Sequence, residues 1–515
     1  MTAQDNDSSA FIWKPQPGNP LSITRDLTNT ERMFVVLNRD LFGQNCPFIG
    51  ASISVRNTSS LGQSRIFGIP ELRKRSVRAC CQTRWRYPTV AARVSEDDCK
   101  AMYSVDGPNE AARWAERSVT VVVADGGWLA LREQLSRDVP MPSSNGDYWG
   151  FYLIVKPEYG ADVNIASFDI LMHNHHVFTD GSGIRSILNE FISRLADPLP
   201  LEELHWGKEV DRLLPPSMLL VHPGQMMLDT TSNGDGPEST TDFFLKSQAD
   251  IGLPWYRPKI GPPSSSTRGS QLVSHTFEPN FLPELLARGR KRGVKLAAIL
   301  HAALFQAIHE NIDSVPGPED SFQSSSAMDL RNDWMPPPYN EKRYYVNGAV
   351  VIQPIAVPCR MFSQRNDFWK AAAYIASIWE VAKKRKGMLA TIEAEAAMFL
   401  GSRQKQKQSS SPPLTKPRTC PYFVSDPPGT QHLDTIFPVS GYQNLQLILE
   451  SYQLATDQSQ TIVSARSHSF HDRLTLCVVF NAARNPKEKM QEFLETWVDV
   501  LKTVCESDWD LNGDS

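Results

Sequence analysis

No stretch of this 515-residue chain holds the roughly 18 consecutive apolar residues that a membrane-spanning helix needs. The nearest approach, residues 296–308, contains His301 and Gln306 and reads as a buried helix instead. Cysteine is scarce: eight residues, none in C-x-x-C spacing, which argues against a disulfide scaffold and the common zinc and redox patterns. Adjacent Cys80 and Cys81 read as small packing residues. A long basic stripe is also missing. The formal net charge is −4 and the basic runs at 73–75, 288–292 and 383–386 are short, which argues against a nucleic-acid-binding role. One such run could still attract the phosphates of a nucleotide-like co-substrate. The opening MTAQDNDSSA lacks the basic and apolar regions of a secretory signal, so a reducing cytosol is the expected setting.

What the chain does have is a globular composition, 41% hydrophobic and 21% charged, in a length that favours two domains over one core. We place an N-terminal domain at 1–221, a Gly-, Pro-, Ser- and Thr-rich crossover at 222–270, and a C-terminal domain at 271–515. Prolines 15, 17 and 20 predict an extended strap over 11–20, anchored by Trp13. Pro70 suits the first turn of a helix over 70–82, followed by a strand at 89–94, a helix at 109–118 and a β-branched strand at 119–123. Residues 148–155 are almost continuously apolar, as in a strand buried on both faces. A second strand follows, with Ala166, Phe168, Ile170 and Met172 on one face, and then an amphipathic helix over 184–195 that starts near Asp180.

The second half predicts strands near 273, at 323–329, 349–357, 445–449, 461–465 and 474–480. Helices are expected over 282–292, 296–310, 367–384, 388–400 and 486–504, with residues 403–418 as a surface loop. Both halves therefore mix a sheet with helices, an α/β class, and the place where two such halves meet is the first place to look for a site.

One polar constellation stands out: His173-Asn174-His175-His176-Val177-Phe178-Thr179-Asp180-Gly181, where a buried strand gives way to a helix. A single histidine is most simply a satisfied core or surface residue, but clustering at a strand-to-helix junction points to chemistry. Zinc is one reading, since His173 and His175 would share a strand face. The H-x-H-x-D-H continuation of a metallo-β-lactamase-type site is absent, with Val177 and Phe178 in its last two places, so we assign no metal. The other reading is base catalysis by one histidine in a loop steadied by a carboxylate.

Residues 175–181 spell H-H-x-x-x-D-G, and here the chain resembles the coenzyme A-dependent acyltransferase superfamily of plant BAHD enzymes, chloramphenicol acetyltransferase and peptide-synthetase condensation domains. The segment from Arg84 to Val90, the element Met328-Asp329-Leu330-Arg331, the pair Pro336-Pro337 and the run Tyr345-Val346-Asn347-Gly348 resemble further family segments in the right order. The D-F-G-W-G element of plant BAHD enzymes is missing, which turns the resemblance towards fungal secondary-metabolite acetyltransferases. The resemblance implies two similar mixed-sheet domains of the chloramphenicol acetyltransferase kind, with the active site at their interface. It implies acetyl-CoA as co-substrate and a small alcohol acceptor of the sesquiterpenoid kind, and we expect the protein to act as a monomer.

On that resemblance His176 is the general base, and Asp180 points away from substrate to pair with an arginine, for which Arg331 is the candidate. Gly181 would permit a tight turn. Asn347, Ser425 and Ser464 could each donate to the oxyanion of the tetrahedral intermediate. The plain alternatives are a helix N-cap for Asp180, a surface position for Arg331 and structural roles for the three donors. Two rival functions stay open: a non-catalytic binding protein that keeps the fold, and a zinc hydrolase.

Overall fold

The computed structural model describes residues 8–57, 67–159, 163–200, 203–222, 269–312, 316–317, 319–344, 348–384, 387–407 and 420–506. The chain forms two compact units: 1–221 with 335–349 and 430–456, and 222–334 with 350–429 and 457–515. The linear boundaries at 221 and 271 would put 335–349 and 430–456 in the second half. For 430–456 the reason is β-pairing, because strand Leu445–Thr456 runs antiparallel to Pro47–Asn57 from Leu445↔Asn57 to Thr456↔Pro47. Local pattern predicts that a strand exists at 445 but not which half it joins. The expected crossover lies almost wholly outside the described residues.

The first unit is built on a six-stranded mixed sheet in the order Ile436–Pro438, Leu445–Thr456, Pro47–Asn57, Ser167–Asn174, Trp149–Val155 and Val119–Val123. Only the last pair is parallel. Strand Trp149–Val155 is apolar on both faces and buried along nearly its whole length, whereas Pro47–Asn57 and Ser167–Asn174 bring Ser52, Ser54, Ser167 and Asp169 together on one face. Helix Gly181–Ala196 packs on the sheet and on helix Ile69–Arg86, and Phe191 stacks on Phe151 at 5.2 Å. Helix Gly127–Asp138 packs on the central strands. There Gly50 lies so close to the Trp128 indole that any side chain at 50 would overlap it.

A smaller antiparallel sheet joins Lys14–Gln16, Asn19–Asp26, Lys100–Ser104 and Arg93–Val94. Trp13 packs on its cluster of Ile23, Tyr103 and Leu213, and its Nε1 donates to the Leu214 carbonyl at 2.8 Å, so the expected anchor holds. The strand expected at 89–94 shrinks to Arg93–Val94, because Pro88–Ala91 closes a 3₁₀ turn through Val90 N–H to Tyr87 O at 3.1 Å.

The second unit carries a six-stranded mixed sheet in the order Val350–Pro358, Ser321–Asp329, Tyr422–Ser425, Ser464–Phe470, Arg473–Asn481 and Ser270–Thr276. Helices Leu296–Glu310, Phe368–Lys384 and Lys487–Glu506 join it in one core. The strand expected at 461–465 is instead Ser464–Phe470. It forms a hairpin with Arg473–Asn481 across His471 and Asp472, whose φ values of 48° and 59° suit a two-residue turn. Helix Met388–Lys407 runs past residue 400, so 403–407 are helical rather than loop; Gln, Lys and Arg are good helix formers. Residues 408–418 lie outside the described residues.

Helix Leu296–Glu310 is buried almost all round, as its composition predicts. His301 sits in that core, its ring 4.6 Å from Phe305 and 4.5 Å from Phe423, and neither nitrogen has a hydrogen-bond partner among the described residues. Burial pushes its pKa down to about 3 from an ordinary 6.5. Between those values the unfolded chain binds the extra proton, so the stability contribution is present above about pH 6.5 and is lost as pH falls. His301→Leu should therefore recover about 2 kcal/mol of the stability lost between about pH 7 and pH 5. Urea unfolding of both proteins at the two pH values checks this, and equal losses would refute it.

Candidate active site

The site begins with a strand held on both sides. Ser167–Asn174 pairs with Pro47–Asn57 and with Trp149–Val155, so His173 lies opposite Phe48 on one side and Gly150 on the other. Beyond Asn174 the ladder gains one more bond, from His175 N–H to the Tyr148 carbonyl at 3.0 Å. The chain then turns. His175 Nδ1 accepts the Val177 N–H at 3.1 Å and caps the single 3₁₀ turn His176–Phe178. The same imidazole packs at 5.1 Å from the Tyr148 ring, which also meets Phe178 at 5.8 Å.

The three histidines are thereby separated in role. His173 is buried within the strand. His175 is buried too, and its burial, followed by the neighbouring His176 and His173, pushes its pKa down to about 3. It is neutral near pH 7, and because Nδ1 is an acceptor its proton sits on Nε2. That bond also occupies the lone pair a metal would need, and among the described residues no three His, Cys, Asp or Glu side chains are grouped to hold a metal ion. His176 is the one of the three that keeps partial exposure, and its ring stacks on Phe34 with centroids 4.2 Å apart and planes within 10°.

Asp180 ends the turn. It is 1% exposed, and its backbone is extended at φ −128° and ψ −168°, which swings the chain into helix Gly181–Ala196. Its Oδ1 accepts the N–H groups of Ser182 at 3.0 Å and Gly183 at 2.9 Å, the bonds of a helix N-cap. Oδ2 accepts the Ala349 N–H at 2.7 Å, so one carboxylate ties the histidine turn to the 335–349 segment of its own unit. Gly181 is the first helical residue, not a turn with left-handed backbone; the change of direction that was expected of it is made by Asp180.

Phe34 was not foreseen. It lies on helix Asn29–Asp40, whose start carries a reciprocal cap: Thr28 Oγ1 accepts the Glu31 N–H at 3.2 Å and Glu31 Oε2 accepts the Thr28 N–H at 2.9 Å. The spacing Thr28-x-x-Glu31 is the signal that would have found this helix.

The 15-O-acetyltransferase Tri3 family profile matches residues 7–346, more than half of the chain. The chain belongs to the Tri3 15-O-acetyltransferase family. Trichothecene 15-O-acetyltransferase TRI3 of Fusarium sporotrichioides is 21% identical over 476 residues, covering 87% of this chain and 88% of that protein. Its solved structure matches with a TM-score of 0.79 at 17% identity, over 96% of this chain and 98% of that one. The EpoB cyclization-docking bidomain of Sorangium cellulosum matches at 0.58 with 13% identity, over 96% and 88% of the two chains. The starter condensation domain of rhizomide synthetase, solved with C8-CoA, matches at 0.56 with 12% identity, over 94% and 95%. The expected α/β fold of two mixed-sheet units is thus the fold of this Tri3 family member, and the chain is an acyltransferase.

The remaining candidates fall in the second unit or outside the described residues. Arg331 is buried at the start of a short helix, with Nη1 3.0 Å from Asp329 Oδ2 and its N–H on Asp329 Oδ1 at 2.9 Å. A surface position is thereby excluded. Ser425 and Ser464 stand on neighbouring parallel strands, but Ser464 is level with Tyr422 and Ser425 with Ser467. Three residues of offset is about 10 Å, so they do not share one oxyanion. Asn347 lies outside the described residues.

In this Tri3 family member an asparagine at 180 would turn an NH₂ group towards N–H groups that now meet carboxylate oxygens. Leaving a buried donor unmet costs about 1–3 kcal/mol, so Asp180→Asn should lower stability by at least that and reduce the yield of folded protein. Denaturant midpoints check it. A variant of unchanged stability that has lost turnover would instead give Asp180 a direct part in the chemistry.

Proposed function

We propose that this chain transfers the acetyl group of acetyl-CoA to a hydroxyl of a small sesquiterpenoid of the trichothecene kind, at its 15 position, with His176 as general base. Family membership and the name of the TRI3 relative support the acetyl donor and the acceptor class. The observation that carries the residue assignment is the division among the histidines: His175 spends Nδ1 on the backbone, whereas His176 alone keeps exposure.

An alcohol is a weak nucleophile near neutrality, and a base within hydrogen-bond reach removes its proton as the new C–O bond forms. On this reading His176 takes that proton while the acceptor oxygen attacks the thioester carbonyl. The tetrahedral oxyanion collapses, the C–S bond breaks and the proton passes from His176 to the departing thiolate. No covalent acyl-enzyme is formed. Asp180 holds the turn, and Arg331, held in its own unit by Asp329, is assigned as a charge partner of Asp180 in the same proposal. Asn347, Ser425 and Ser464 are alternative oxyanion donors, each to be replaced singly.

Incubation of the protein with acetyl-CoA and a trichothecene bearing a free 15-hydroxyl should release thiol and yield a product heavier by one acetyl group. His176→Ala should fold normally and lose roughly 10²- to 10⁴-fold in kcat. Full turnover by that variant would remove His176 from the base role. No transfer to any of a panel of alcohols by the wild-type protein would favour a binding function instead.

A further inference from the structure

We propose that Phe34 is a positioning residue for the base, its ring fixing the plane in which the His176 imidazole works; this rests on the reading of His176 as base. The torsion that turns an imidazole about its Cβ–Cγ bond is broad and roughly two-fold, so backbone position alone does not set the plane of the ring. A flat partner 4.2 Å away and within 10° of parallel selects one plane. The proton-acceptor nitrogens lie in that plane, so fixing it fixes the line along which the hydroxyl must approach. Phe34 has a second effect, because the face of an aromatic ring is negative and favours the imidazolium that forms as the proton is taken.

The partner itself is held from its own side. Helix Asn29–Asp40 packs against the 3₁₀ turn His176–Phe178. At its start Glu31 serves the cap and also receives Arg25, whose Nη1 and Nη2 donate at 2.7 and 2.6 Å. The buried Arg25 guanidinium lies 5.1 Å over the Trp13 ring, and Trp13 is fixed by its bond to Leu214. A continuous series of packed groups thus runs from the 13–31 segment to one face of His176.

The test compares Phe34→Ala, Phe34→Leu and Phe34→Tyr with wild type. Leucine fills the space without a flat face, whereas tyrosine restores it. We expect kcat to fall between about tenfold and 100-fold in both Phe34→Ala and Phe34→Leu, as for small misplacements of a reacting group. Phe34→Tyr should stay close to wild type, and KM for acetyl-CoA should be unchanged in all three. Wild-type kcat in Phe34→Leu would overturn the proposal, because simple filling would then suffice. A second measurement needs no turnover. In protein labelled at the histidine Cε1 carbons, the His176 proton signal, assigned by its loss in His176→Ala, should be shifted upfield by the Phe34 ring current. It should move downfield in Phe34→Leu and not in Phe34→Tyr, and an unmoved signal would overturn the stacking. If His176→Ala keeps full turnover while the ring-current effect is present, the base assignment fails and the stacking stands.

Discussion

One buried carboxylate holds the histidine turn together. Asp180 accepts three backbone N–H groups, two from the first turn of helix Gly181–Ala196 and one from Ala349. A carboxylate can do this because it is acceptor-only, with room for about four hydrogen bonds, and because the free N–H groups at a helix start favour negative charge. Strand Ser167–Asn174 fixes the other end of the turn through the His175 bond to Tyr148. The four residues between these two fixed points have little freedom left. This is how a motif with four residues from histidine to aspartate becomes a geometry as well as a spacing.

The neighbouring residues follow from that constraint. With the turn pinned at both ends, His175 faces inward and becomes a capping group whose charge burial disfavours. His176, one residue later, faces elsewhere and meets Phe34. Asp147 steadies the approach. It takes Arg117 at 2.8 and 3.1 Å and Arg93 at 3.1 Å, immediately before Tyr148, whose carbonyl and ring both touch His175. Adjacent identical side chains thus meet different surroundings because the backbone turns between them.

Much of this was legible in the sequence, and the parts that were not share a cause. The strand Trp149–Val155, the following strand and the helix after Asp180 are written in local periodicity, and the H-H-x-x-x-D-G element is legible as a motif through the family it resembles. Helix Asn29–Asp40 and strand Pro47–Asn57 were overlooked, although Thr28-x-x-Glu31 marks the helix and Pro47–Asn57 sits in mid-sheet. The pairing of 445–456 with 47–57 was out of reach, since a strand's own residues do not state its partner. The same limit misplaced the strand expected at 461–465, which is Ser464–Phe470. Its sequence SARSHSF is polar, and it is extended because it is paired on both sides, not because of its composition.

Asp180 shows why a helix-cap reading of an acid and a wider role in holding a turn need not compete. As a helix N-cap it would be an ordinary structural residue, and it makes the two bonds of that role with Oδ1. A cap uses only one oxygen, however, and the second is spent on Ala349, 169 residues away in sequence. Had Asp180 been only a cap, serine or threonine would serve nearly as well, since those residues rank close to aspartate there. Neither side chain has a second oxygen with which to hold the 335–349 segment. The Ala349 contact thus asks for a second oxygen that the helix cap does not, and it makes the strand-to-helix junction part of the unit's tertiary structure.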